Sequence, residues 1–269
     1  MSHAAYVVPF EKHRFRSAAE HYLKGRPPYA AALFERVARL TDLASNDAVL
    51  DLGCGPGQIA LGFAPHAGPV TAIDPEPEML RIAAASAEAA GRNIRFIEGS
   101  SFDLTPALGT FHLVAIGRAF HWMDRRDTLA RLDGMIAPGG AIALLSDKHP
   151  EVPQNAWRKA YDAVLDKYSA EDSARKLRKS DAFGSHETVL LASPFSRLER
   201  IGVLEERRTP IADFDSRLLS LSSVSRARIG DRADEMIAEF SAAMAPHVVD
   251  GLVTELVESQ ALIASRPPR

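Results

Sequence analysis

The sequence predicts an α/β protein built on a doubly wound, mostly parallel sheet. Three observations predict it. Short apolar runs alternate with amphipathic helical stretches from about residue 47 to residue 145. One run, Val49-Leu50-Asp51-Leu52, is almost continuously apolar and stops at a glycine-rich turn, the pattern of a strand buried on both faces. No Pro/Gly/Ser-rich linker divides the 269 residues, so one domain is expected over 1–269.

The elements follow in order. Residues 17–44 read as helix, with Leu33, Val37 and Leu40 at helical spacing and Arg26-Pro27-Pro28 as an interruption. The strand over 48–52 is followed by a helix from Gln58 that ends near Pro65. A second strand, 70–73, has Asp74 at its carboxyl end. The next helix spans 75–90, with Pro75 and Pro77 tolerated in its first turn and Gly91 as its stop. Strands at 94–97 and 113–116 precede a helix over 124–137, with Leu129, Leu132 and Ile136 on one face. Pro138-Gly139-Gly140 reads as the turn into a fifth strand, 141–145. After His149, helices are expected at 155–168, 170–178, 214–221 and 231–244, with strands at 196–207 and 253–264. This divides the chain into an N-terminal helical lid (1–45), a core (46–148), and a helical cap with the final strands (149–269).

Composition narrows the function. Apolar residues are 46% and charged residues 25%, the balance of an ordinary globule. A net charge of −3 argues against a protein that holds nucleic acid by bulk positive charge. The single cysteine, Cys54, excludes an intrachain disulfide and an all-cysteine zinc site. Nowhere do about 18 apolar residues run together, and Glu11, Lys12, His13 and Arg14 break any leader-like core near the start. The expectation is a cytoplasmic enzyme, monomer or homodimer, with no membrane, nucleic-acid or metal partner.

The chemistry concentrates in Val49-Leu50-Asp51-Leu52-Gly53-Cys54-Gly55-Pro56-Gly57. Glycine lets the backbone turn sharply and approach a ligand with no side chain between. Asp51 at the strand end suits a cationic or hydrogen-bond-donating group, and Asp74 one strand later suits the two hydroxyls of a ribose. A dinucleotide fingerprint would need glycine or alanine where Gln58 stands. An acid two residues before the first glycine suits an amino acid head group better than a pyrophosphate. That favours S-adenosylmethionine. Each residue also has a structural reading: Asp51 and Asp74 as helix caps, Cys54 as an apolar filler, and the glycines as a tight turn.

Together with Asp74-Pro75, Phe120-His121-Trp122 and Pro138-Gly139-Gly140, this segment resembles a class I S-adenosylmethionine-dependent methyltransferase of small-molecule type, over about residues 45–148. The resemblance implies a Rossmann-like sheet of seven strands, the last antiparallel, and S-adenosyl-L-methionine as cofactor. It implies that Gly53, Cys54, Gly55 and Gly57 line the methionine and ribose side, with Asp51 under the ammonium. Asp74 would bind the ribose, and Pro75 and Met79 would flank the adenine. Ser101 and Phe102 stand where many relatives carry an acid for the adenine amino group. Tyr22-Leu23-Lys24-Gly25-Arg26-Pro27-Pro28-Tyr29 is similar to the segment that opens many small-molecule members. Arg26 would then meet the methionine carboxylate and Tyr22 would close over the methyl. His121 follows the fourth strand and is a candidate base, with packing beside Phe120 and Trp122 as the alternative. His112 reads as structural, and His186-Glu187 as a distant candidate for the pocket. The rivals are a nicotinamide-dependent oxidoreductase and a methyltransferase acting on a macromolecule.

Overall fold

Seven strands form a single sheet in the computed structural model, which describes residues 7–268. They are β1 (Val49–Leu52), β2 (Val70–Asp74), β3 (Ile94–Glu98), β4 (Phe111–Gly117), β5 (Ile136–Lys148), β6 (Arg197–Pro210) and β7 (Leu252–Ser265). Their order across the sheet is β3-β2-β1-β4-β5-β7-β6. The first five run parallel, and β7 is antiparallel to both β5 and β6. The doubly wound, mostly parallel sheet is therefore present. The part of the expected lid that falls on residues 1–6 lies outside the described residues, as does residue 269.

Side-chain alternation sorts the core into two layers. Val49, Leu113, Ala115, Ala141 and Ala143 pack with Leu33, Phe34 and Val37 of α2 (Ala31–Leu40) and with Ile59 and Phe63 of α3 (Gln58–Phe63). Their neighbours Leu50, Leu52, Val114, Ile116, Ile142 and Leu144 pack on the other face, against Leu129 and Leu132 of α5 and Leu190 of α8. Here α5 is Arg125–Asp133 and α8 is His186–Leu191, while α4 (Pro77–Ala89) covers β2 and β3. Each fully buried Leu, Ile or Val contributes about 1.5–3 kcal/mol.

A third core belongs to the cap. Trp157 and Tyr161 on α6 (Arg158–Tyr168, with Trp157 as its N-cap) meet Phe214 on α9 (Ile211–Leu219) and Phe240 on α11 (Arg232–Met244). The rings stack edge to face, Trp157 to Phe214 at 5.0 Å and Tyr161 to Phe240 at 5.8 Å. Strands β6 and β7 run 14 residues each against 4 in β1, which lets β7 carry Val253 into this cluster. The remaining helices are α1 (Ala19–Gly25), α7 (Ser173–Lys179) and α10 (Arg226–Ile229).

Several boundaries differ from the sequence reading; the helix expected over 17–44 is two, α1 and α2, parted at residues 26–30. The helix expected over 124–137 stops at Asp133, and Ile136 opens β5 opposite Phe111. Pro138-Gly139-Gly140 is accordingly an irregularity inside a strand, not a turn before one. Gly139 has φ 81°, and a Cβ on Gly140 would stand 2.5 Å from the His112 carbonyl oxygen. The helix expected from Pro75 starts at Pro77, because the Asp74 carboxylate takes the Glu76 N–H and holds that residue outside it. Helix α8 has no counterpart in the sequence reading; its six residues are too few for a helical period to show.

Candidate active site

The turn after β1 is held by the strand beside it. The N–H groups of Gly53 and Cys54 both donate to the Ile73 carbonyl, at 2.8 and 3.0 Å. Gly53, Gly55 and Gly57 have φ of 72°, 51° and 82°, a left-handed run that side chains disfavour. Asp74 pins the turn from outside. Its Oδ2 accepts the Gly55 N–H at 2.8 Å and its Oδ1 the Glu76 N–H at 2.9 Å. Burial pushes its carboxyl up to about 6 against those two donors. Asp51 is fully buried behind the turn, and its Oδ2 accepts the Ala60 N–H of α3 at 2.8 Å. Its Oδ1 has no partner, and burial pushes the group up to about 7.

A cavity of about 240 Å³ opens on this turn. Its floor is Gly53, Gly55, Asp74, Pro75 and Met79, and Ser101 and His121 stand on its sides. The N-terminal strap forms its roof through Phe10, Lys12, Arg14 and Phe15. Charge holds the strap down. Arg14 donates to Asp172 at 2.6 Å and to Ser222 at 3.0 Å, and Lys12 pairs with Glu98 at 2.8 Å. Trp122 lies beneath, with the guanidiniums of Arg14 and Arg178 4.6 and 4.1 Å from its ring.

A larger cavity, of about 750 Å³, lies between the strand ends and the cap. Phe120, Leu144, Tyr161, Leu165 and His186 line it. The two cavities share Arg26, Arg118, Ala119, His121, Arg175 and Leu221. Arg118 sets this junction. It sits at the carboxyl end of β4 with φ 52°, a strained value for a side-chain-bearing residue. Its guanidinium bonds Asp147 on β5 and reaches the Pro27 carbonyl at 2.9 Å, beside Arg26. The Arg26 ring contact is with Tyr22, at 5.4 Å, and its buried Nε has no partner. The His121 ring lies 4.9 Å from Trp122 and 6.5 Å from His186. Burial, then the charge of Arg178, hold His121 well below the usual histidine range, so its imidazole is neutral at pH 7.

Of the residues singled out from sequence, the turn cavity gathers Tyr22, Arg26, Gly53, Gly55, Asp74, Pro75, Met79, Ser101 and His121. It leaves four off its wall. Asp51 is behind the turn. Cys54 is buried in the core, where burial raises its thiol well above the usual range. Gly57 backs onto α4, where an added Cβ would meet that of Ala83 at 3.0 Å. Phe102 is 45% exposed and packs edge-on against Phe10 at 5.7 Å. His186 and Glu187 do line the cap cavity, and His112 Nε2 bonds the Thr41 carbonyl at 2.6 Å, away from it. Sequence reasoning missed Glu76, Arg118, Asp147 and Arg178. Position at a strand's carboxyl end flags Arg118 and Asp147; no local pattern flags Arg178.

The methyltransferase-domain family matches residues 49–140. A demethylmenaquinone methyltransferase of Thermus thermophilus is 35% identical over 129 residues, 46% of this chain and 58% of that enzyme. The chain spans about half the length of the curated relatives it matches. Among solved structures, a provisionally named type II methyltransferase from Anaeromyxobacter dehalogenans is 25% identical, with a TM-score of 0.61 over 90% of this chain and 97% of the other. A methyltransferase from Geobacter sulfurreducens, solved with S-adenosyl-L-homocysteine, shares the fold at 16% identity, with a TM-score of 0.53 over 97% of this chain and all of that one.

Proposed function

We infer that this chain is a class I S-adenosylmethionine-dependent methyltransferase and transfers a methyl group to an oxygen, nitrogen or carbon of a small-molecule acceptor. The observation that carries the reading is the meeting of two cavities, one floored by the glycine turn and one roofed by the cap, at His121 and Arg26. The larger falls within the roughly 300–1,000 Å³ of small-molecule sites. The Thermus relative's name, a demethylmenaquinone methyltransferase, supports an acceptor of that kind.

The residues fit the cofactor. An amino acid head group needs a cation for its carboxylate, and the turn cavity is lined by Arg26, whose Nε has no partner, while the unpartnered Asp51 Oδ1 lies behind the turn. Arg26 would bind the carboxylate, and Asp51 would take the ammonium through water. Asp74 and the buried Glu76 stand at the end of β2 for the ribose, with Pro75, Met79 and Ser101 around the base. Gly55 faces open space, with no atom within 4 Å of where a Cβ would lie. S-adenosylmethionine supplies, when bound, an electrophilic methyl whose leaving group is a neutral thioether. The chain's own part is then orientation, which contributes up to roughly 7–11 kcal/mol. The strap and Tyr22 exclude water, and neutral His121 accepts a proton from the acceptor as it is methylated.

Calorimetric titration tests the reading. S-adenosylhomocysteine should bind and NAD should not. Tighter binding of NAD would point to an oxidoreductase and end it.

A further inference from the structure

Arginines crowd the junction of the two cavities, and their carboxylate partners do not balance them. Arg118 has Asp147, Arg14 has Asp172 and Glu11, and Arg175 has Asp166 at 2.6 Å. Asp166 is half exposed and also serves Lys179 at 2.7 Å. Among the described residues Arg26 and Arg178 have no carboxylate within ion-pair distance. Among the described residues the one hydrogen bond from the Arg178 guanidinium goes to the Ala174 carbonyl of its own helix, at 3.2 Å. Asp172 is near enough to act on Arg178, but its carboxylate is committed to Arg14 at 2.6 Å and to the Arg175 N–H at 2.7 Å. Burial, then the neighbouring Arg14, lower Arg178 to about 10, as expected of a cation short of counter-charge. Partly buried charges of one sign are costly unless a partner arrives.

The methyl donor brings one carboxylate, and Arg26 would take it. One cation is left over. We propose that the acceptor carries an oxyanion, a carboxylate or a phosphate, bound by Arg178 with Arg175 beside His121. The proposal rests on the methyltransferase reading and names its substrate class: an acid with an apolar body. Arg178 and His121 line the turn cavity together, and Arg175 reaches both cavities. Phe120, Leu144, Tyr161 and Leu165 provide the apolar wall for the rest of the molecule. An anion at Arg178 also offsets the positive charge that surrounds His121, so the same contact that holds the acceptor would make proton transfer to that ring easier.

The test is titration of the full chain with 2-naphthoate, 2-naphthyl phosphate and 2-naphthamide, with and without saturating S-adenosylhomocysteine. The three share one apolar body and differ in charge. At least one acid should bind about tenfold or more tightly than the amide, and whichever does so identifies the oxyanion. Arg178→Met should bring that ratio near one, and Arg178→Lys should keep part of it. S-adenosylhomocysteine affinity is read in both variants, and a loss there with the acid-to-amide ratio kept would assign Arg178 to the cofactor and overturn the proposal. The ratio is taken within one protein, so a loss of folded material in a variant cancels. Acids that bind no better than the amide, or a ratio that survives Arg178→Met, would overturn the proposal. Failure of S-adenosylhomocysteine to bind would sink the methyltransferase reading instead, and the acid-to-amide comparison on the protein alone would still decide this one.

Discussion

The floor of the turn cavity is built by the ends of neighbouring parallel strands, while the cap cavity is walled by residues drawn from positions 26 to 262. Gly55 bonds a carboxylate 19 residues away, and Asp51 an N–H 9 residues away. On the cap side Arg118 reaches a carbonyl 91 residues back, and Arg217 one 192 residues back. The first kind of site is shaped by local backbone geometry. The second is shaped by a few buried charges that lock distant elements together. Chief among them is Glu255 on β7, which takes both arms of Arg217 at 2.8 and 2.9 Å and His149 Nε2 at 2.8 Å. Arg217 in turn holds the Gly25 carbonyl, one residue before Arg26. Burial alone would raise the Glu255 carboxyl, but His149 and Arg217 win and hold it well below the usual range.

If that contrast is right, the largest single loss should come from the cap side. Glu255→Ala leaves Arg217 buried and unpaired, and should lower unfolding free energy by about 3–5 kcal/mol in urea titrations. A loss below about 1 kcal/mol would mean that hydrophobic packing, not the ion pair, holds the cap. Next comes His121→Ala. Turnover should fall about 10²-fold with S-adenosylhomocysteine affinity kept. The wild-type kcat profile should show no limb near the usual histidine value of about 6.5, because the folded ring stays neutral there. A limb at that pH which vanishes in the alanine variant would contradict the burial argument.

Smaller effects are expected on the turn side. Asp74→Ala should weaken S-adenosylhomocysteine by about 1.5–3 kcal/mol in calorimetry. A ligand-facing carboxylate alone would leave folding intact. The two N–H groups it accepts predict a further stability loss of about 1 kcal/mol in denaturant titrations. The last signal is a slope rather than a single loss. The Asp51 carboxyl is pushed up to about 7 in the folded chain, against about 3.9 when unfolded. Between those values the folded state binds the extra proton, so its contribution to stability falls as pH rises from about 4 to about 7 and is constant above. Asp51→Asn should flatten that part of the stability curve. An unchanged slope would assign it to Asp74 and other groups.

The parallel strands, the glycine turn and the choice of an amino acid head group over a pyrophosphate were legible in residues 48–75, because each depends on residues close in sequence. Apolar runs mark doubly covered strands, and only glycine accepts the φ values that the turn requires. The same logic explains the errors. A three-residue Pro-Gly-Gly segment reads as a turn, yet Ile136 belongs to β5 because Phe111 lies across from it. Cys54, Gly57 and Phe102 belong to the right segments, but the direction each Cα presents put them against the core, α4 and the rim.

What the sequence determined by itself was the donor half: strand order in time, the turn, and the acid at the end of each of the first two strands. Tertiary structure alone decided the junction and the cap side. The strained Arg118, its Asp147 partner, the uncompensated Arg178 and the Glu255 network each draw meaning from residues tens to hundreds of positions away. Local backbone preferences act over a few residues and leave a pattern in the sequence. The energy of a buried charge depends on what surrounds it in space, and that is set only once the cap has closed.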